Sequence, residues 1–379
     1  MKRAGQILLF LIFSATVGFL AMRMNVLEKS PESEPEENPS TVYLSYGDDE
    51  LAKGASLVVE GEKHFKAMRQ LTFSGQNAEA YFSADGSRLI FQAHEGDENC
   101  DQIFILDIES GGIEMVSTGA GVTTCSFFQY PHDDAIIYAS THLGGEACPA
   151  KADPTLGYVW MLHPAYDIFG ALPDGSEMSR LTETYGYDAE ATYAFDGNRI
   201  VYTSLASGDL EIWTMDPDGS NKLQLTDRLG YDGGAFYSHD GQKIVWRAYY
   251  PESEEEEERY LQILRNNAIK PMALQIWVMD ADGSNKIQIT DNEGANFSPF
   301  FFPNDNRIIF SSNLANPRGR NFDLYSIDVD GSNLEQITFY DGFDSFPMFN
   351  HDGNQLAFAS NRNNQEPGET NVFICSWVD

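Results

Sequence analysis

The chain has 379 residues, 42% hydrophobic and 13% aromatic, enough to bury one large core or two smaller ones. Its 58 acidic residues against 24 Lys and Arg leave a net charge of −34. Such a charge repels the phosphate backbone and anionic lipid heads, and so excludes nucleic acid as a partner class.

In chain order, Lys2 and Arg3 precede an apolar run from Ile7 to Ala21, the pattern of a signal peptide or signal anchor over residues 1–27. The protein is therefore expected to be exported, periplasmic or otherwise extracytoplasmic, with membrane contact limited to this segment if it stays uncleaved. Residues 28–40 carry Pro31, Pro35 and Pro39 among glutamates and cannot bury apolar area, so a disordered acidic linker is expected there.

The rest of the chain repeats. An apolar residue followed by Thr recurs at Leu71-Thr72, Leu181-Thr182, Leu225-Thr226, Ile289-Thr290 and Ile337-Thr338, with Ser117-Thr118 as a weaker copy. The interval is about 45 residues, twice lengthened by about 20. At a fixed phase within each unit stand the turn pairs Asp85-Gly86, Asp133-Asp134, Asp196-Gly197, Asp240-Gly241, Asp305-Asn306 and Asp352-Gly353, each between short apolar-aromatic runs. That is the signature of a tight hairpin. Asp-Gly-Ser follows at 174–176, 218–220, 282–284 and 330–332, again between strand-like runs. Each unit thus holds four strands and two turns, and units of this period predict an all-β fold: a six-bladed β-propeller of four-stranded antiparallel blades. The last unit ends at Phe373-Ile374-Cys375 without an outer strand, and Met68 to Phe73 supplies one, closing the ring.

Arg69-Gln70-Leu71-Thr72, the Asp-Gly hairpins and the Asp-Gly-Ser-Asn turns resemble the TolB-like propeller repeats of bacterial periplasmic proteins. The resemblance covers residues 64–379 and implies the same six-bladed fold. It does not extend to the α/β domain that precedes the propeller in TolB, because residues 41–67 are too few for one. The longest insertion, Pro251 to Pro271, reads as a helix with its glutamates at the N-terminal end and Tyr260, Leu261, Leu264 and Ala268 on one side.

In a propeller the start of each first strand and the loop between second and third strands share one face. Asn77, Thr123, Asp188, Asp232, Asn296 and Asp344 begin the six first strands and are expected to ring the channel mouth. Two positions on come Glu79, Cys125, Glu190, Gly234, Ser298 and Phe346, which a period-2 pleat aims the same way. Glu79, Asp188, Glu190, Asp232, Asn296 and Asp344 are therefore the candidate binding residues. Asp188, Asp232 and Asp344 are hard oxygen ligands suited to Ca²⁺ or to a cationic group; the competing reading is that each caps a local turn.

Of the four cysteines, Cys100, Cys125 and Cys148 share the loop face, and in an exported chain a disulfide is expected among them, with Cys125 to Cys148 preferred because both belong to the second unit. Cys375 lies in a core strand and reads as a buried thiol. No G-x-S-x-G or H-E-x-x-H occurs. The expected function is a monomeric, non-catalytic envelope module that binds a protein or peptide, with a cationic partner favoured by the acidic ring. The alternative is a Ca²⁺-dependent hydrolase or lactonase on the same ring.

Overall fold

The computed structural model describes residues 57–379 except 97, 98 and 272, so the leader and the linker lie outside the described residues. Six four-stranded antiparallel sheets follow one another along the chain. Their first strands, a, are Gln76–Phe82, Thr123–Phe128, Asp188–Tyr193, Tyr231–Tyr237, Asn296–Phe301 and Asp344–Phe349 in blades 1 to 6. Strands b, c and d follow outward in each blade. In blade 6 strand d comes from the other end of the described chain: Phe65–Gln70 pairs antiparallel with Asn371–Trp377, from Phe65 opposite Trp377 to Gln70 opposite Phe373. The closing strand begins three residues before the expected Met68, because Phe65 and His64 pack on Trp377.

The repeat markers are structural devices. The hydroxyl after each strand d accepts the backbone N–H of the second residue of strand c in its own blade: Thr182 from Ile168 (2.9 Å), Thr226 from Ile212 (2.8 Å), Thr290 from Ile276 (2.8 Å), Thr338 from Leu324 (2.8 Å) and Thr72 from Val372 (2.9 Å). Ser117 does the same for Ile103 at 3.0 Å, which is why Ser replaces Thr there without loss of the repeat. Each such bond satisfies a buried N–H just beyond the end of the outer strand's pairing.

The a–b hairpins need a left-handed residue. Gly197 has φ 71°, and a Cβ there would overlap the carbonyl oxygen of Tyr130 in the neighbouring blade. Blades 2 and 5 place Asp133 (φ 55°) and Asp305 (φ 57°) in that conformation instead. Their carboxylates reach across to the preceding blade: Asp133 accepts from Ala84 N at 3.0 Å, and Asp305 from His239 N at 2.8 Å and Asp240 N at 3.0 Å. These charge-assisted bonds compensate for the conformational penalty of a non-glycine residue.

The expected helix is shorter than its proline limits, Glu254–Leu264, started by Ser253, whose Oγ accepts the N–H of Glu256 at 3.3 Å. Ala268 leaves the helix. With Ile269 it forms a small sheet with Trp160–Met161, so the b–c insertions of blades 2 and 4 are joined. Tyr260 is buried, its hydroxyl 2.5 Å from both Asp209 Oδ1 and Gly230 O. This insertion is therefore packed into the loop face.

The disulfide joins Cys100 to Cys148, linking the b–c insertions of blades 1 and 2, while Cys125 and Cys375 are free thiols. The expected Cys125–Cys148 pairing is thus corrected: Cys125 sits within strand a and faces the central channel, whereas the two loop cysteines approach to a Cα separation of 5.7 Å. Closing 48 residues contributes about 4 kcal/mol in the chain-entropy account. Thiol titration of denatured, unreduced protein should count two thiols; a count of four would contradict the pairing. Reduction should lower the melting temperature by about 6 °C for a domain of this size.

Candidate functional site

All six strands a carry the same irregularity. After the second or third residue the register with strand b shifts by one, as between Ala189 and Thr192 or between Gly233 and Phe236. The extra residue is left-handed in every blade: Glu79 (φ 54°), Cys125 (55°), Glu190 (56°), Gly234 (58°), Ser298 (50°) and Phe346 (55°). Such a bulge re-aims a side chain. These six residues line one pocket at the centre of the ring.

The bulge also overturns the expectation that the residues two positions earlier point the same way. Asn77, Thr123, Asp188, Asp232, Asn296 and Asp344 are each no more than 5% exposed and none lines the pocket. They sit at the junctions between blades, each beside the first residue of strand c of the preceding blade. The junction of blades 4 and 5 shows the arrangement in neutral form, with Asn296 Nδ2 donating to Gln275 Oε1 at 3.2 Å. At three other junctions both partners are acids: Asp167 with Asp188, Glu211 with Asp232 and Asp323 with Asp344. In every one of these six acids one buried carboxylate oxygen finds no hydrogen-bond donor.

Burial, opposed in part by hydroxyl donors, pushes Asp188 up to about 6. Burial and the neighbouring charge of Asp344 push Asp323 up to about 7. Glu211 and Asp232 are raised together by burial, with each as a hydrogen-bonding neighbour of the other. For Glu211 and Asp232, which are hydrogen-bonding neighbours, a shared proton supplies the missing donor. The remaining oxygens are taken locally: Asp188 by Ser204, Asp232 by Trp246 Nε1 and Tyr250 (2.5 Å each), Asp344 by Arg362 at 2.7 Å.

As a Ca²⁺ site, Asp188, Asp232 and Asp344 are therefore not supported: they stand in separate junctions, and among the described residues no three His, Cys, Asp or Glu side chains converge as metal ligands. Glu79 and Glu190 are the two candidate binding residues that the structure brings together. What the sequence reading missed is Arg247, from strand b of blade 4 (Lys243–Tyr249). A Cβ at Gly234 would overlap its guanidinium, so glycine at that bulge is what admits it. A glycine falling at the phase of Glu79 and Glu190 was the signal available.

Arg247 pairs with Glu190, donates to the Tyr231 hydroxyl at 3.0 Å and lies over the Trp160 ring at 5.1 Å. Glu190 also accepts from Thr203 Oγ1 and Gly234 N, at 2.8 Å each. Glu79 is differently placed. Among the described residues its carboxylate meets the Cys125 thiol, 3.9 Å away, and no stronger donor. Burial first, and then the charge of Glu190, push it up to about 7, against the opposing pull of Arg247. Ser298 Oγ, in a residue 6% exposed, has no partner. The floor is aromatic: Tyr81 and Phe236 meet edge to face at 5.5 Å, backed by Phe300 at 5.3 Å from Phe236 and by Phe127 at 5.6 Å from Tyr81. The pocket is thus closed beneath. Its cavity of about 20 Å³ holds a water molecule or a single polar group.

The sequence matches no protein-family model and no curated protein. Solved structures share the fold. TolB from Acinetobacter baumannii is 16% identical with a TM-score of 0.52, over 71% of this chain and 55% of that one. The protein described as TolB from Agrobacterium tumefaciens is 17% identical with a TM-score of 0.52, over 80% of this chain and 91% of that one. XC5397 from Xanthomonas campestris, described as a gluconolactonase, is 12% identical with a TM-score of 0.53, over 83% and 91%. This chain therefore spans about half the length of Acinetobacter TolB. At these identities the likeness shows the fold, a six-bladed propeller, and the fold alone.

Proposed function

We propose that the protein is an exported, monomeric binding module that engages a protein or peptide partner across its loop face, centred on the channel-mouth pocket. The observation that carries this reading is the convergence of one residue from each of six blades on a pocket, closed beneath, too small for a whole small-molecule substrate. A single side chain of a larger partner fits that scale. Around it the loop face leaves aromatic and aliphatic side chains to solvent, with Leu143, Tyr158 and Tyr185 at 59%, 72% and 89% exposure. Tyrosine at such density suits a partner interface. The Cys100–Cys148 disulfide supports an oxidising compartment, and the net charge of −34 favours a partner with basic surface.

The test is affinity capture from cell envelopes with the wild type and with Tyr158→Ala/Tyr185→Ser. One defined partner held by the wild type and lost, at least tenfold, by the double variant is expected. Equal capture by both, or turnover of an ester or lactone that chelation stops, would overturn the reading.

A further inference from the structure

We infer that the channel-mouth pocket accepts a primary ammonium group, seated between the Glu79 carboxylate, the Ser298 hydroxyl and the aromatic walls of Tyr81 and Phe346. The inference deepens the partner-binding reading and rests on it, in that this pocket is taken as the centre of the binding face.

Charge decides the class. Arg247 neutralises Glu190, whose oxygens are further occupied by Thr203 and Gly234. Glu79 is left as the pocket's uncompensated acid, with a thiol as its sole side-chain donor among the described residues. An anion would meet two carboxylates. A metal ion needs several hard oxygens, and no such group of ligands converges among the described residues. A guanidinium needs a planar fork of acceptors and more room than this cavity offers. An ammonium is compact and carries three donors, which Glu79 and the unpartnered Ser298 Oγ can accept while an aromatic face takes the remaining charge.

The groups facing Glu79 are Cys125, Glu190, Arg247, Tyr81 and, behind them, Tyr166 and Asp101. Cys125 and Tyr81 stay protonated, raised well above their ordinary values by burial, so Glu79 is the group whose charge changes near neutrality. Its pKa of about 7 means that the empty pocket is half protonated there. Binding of an ammonium requires the ionised form, so affinity should increase about tenfold between pH 6 and pH 8.

The test uses the whole protein. Methylammonium, added against sodium chloride at matched ionic strength, should raise the melting temperature of the wild type saturably, by about 4 °C at a hundredfold excess over its dissociation constant. The effect should be larger at pH 8 than at pH 6 and be lost in Glu79→Gln. Nα-acetyl-lysine methylamide in a parallel arm separates a peptide lysine, for which it should bind more tightly than methylammonium, from a free small amine, for which it should not. Should Glu79→Gln fail to fold, Ser298→Ala serves as the second variant, with at least a threefold weakening expected.

No difference from sodium chloride, an unchanged response in Glu79→Gln, or equal stabilisation by neutral acetamide would overturn the inference. If partner capture is lost in Tyr158→Ala/Tyr185→Ser but unaffected by Glu79→Gln, the ammonium inference falls while the partner reading stands. If methylammonium binds as expected but no partner is captured, the partner reading falls instead.

Discussion

Deletion of residues 1–75 should abolish cooperative unfolding, while deletion of residues 1–56 should leave the melting temperature within a few degrees of the full chain. The larger deletion removes strand d of blade 6, and with it Phe65, Met68 and Leu71, which are 6%, 2% and 6% exposed. Burying three such side chains contributes about 6 kcal/mol, comparable with the whole stability of an ordinary domain. It also removes Glu62, which with Asp344 holds the buried Arg362 at 3.0 and 2.7 Å. Arg362 lies where the N-terminal segment meets blade 6, and its Nη1 also donates to the carbonyl of Leu57 at 3.1 Å. Arg362→Ala in the full chain should cost about 3–5 kcal/mol, because it leaves two buried carboxylates without a cation. Scanning calorimetry decides both points; equal transitions for the two truncations would refute closure by this strand.

Stability should be greatest near pH 5 and fall steadily to pH 9. The acid junctions fix the sign: a carboxyl whose folded pKa is raised contributes stability that is fully present below its unfolded value near 4 and is lost as pH passes the folded value. Those folded values are about 6 for Asp188 and about 7 for Asp323, and Glu211 and Asp232 are raised as well. At roughly 3 kcal/mol per junction once a pair must give up its proton, the three account for a large part of the fall. Below about pH 4 the trend reverses, because Glu335, held down to about 2 by Lys63, His64 and Arg307, loses its partners' support on protonation. Overall charge repulsion acts in the same direction above pH 5, so the decisive measurement is the triple variant Asp167→Asn/Glu211→Gln/Asp323→Asn. It converts each acid pair toward the Gln275–Asn296 pattern and should halve the slope of melting temperature against pH between 6 and 9. An unchanged slope would show that the junctions do not hold protons.

The blade count, the strand order and the closing strand are legible in the sequence because each rests on local chemistry repeated at constant phase. A Thr caps strand c, a left-handed turn residue makes the a–b hairpin, and Asp accepts from Ser in the c–d turn, as Asp218 does from Ser220 N at 2.9 Å. The pocket was legible in half. The positions of Glu79 and Glu190 follow from the same phase, but the pleat argument joined them to Asp188, Asp232 and Asp344, and a single inserted residue per strand breaks that alternation. Arg247 escaped notice because its place depends on contact between blade 4 and blade 3, which no local pattern records. The cysteine pairing failed for a similar reason: which loop thiols meet is set by how adjacent insertions fold over one another, not by membership of one unit.

The six bulges also separate two tasks that neighbouring residues would otherwise share. The first or second residue of each strand a, from Asn77 to Asp344, ties blade to blade, and the left-handed residue two positions later faces the cavity, so the second can vary without loosening the first. The protein already places Glu, Cys, Glu, Gly, Ser and Phe at that one backbone position, five of them in a conformation that side chains resist. The scaffold is therefore a socket with six exchangeable pins. A combinatorial library confined to positions 79, 125, 190, 234, 298 and 346 would explore recognition chemistry on an unchanged frame, with positions 190 and 234 constrained for as long as Arg247 pairs with Glu190 and occupies the space beside Gly234.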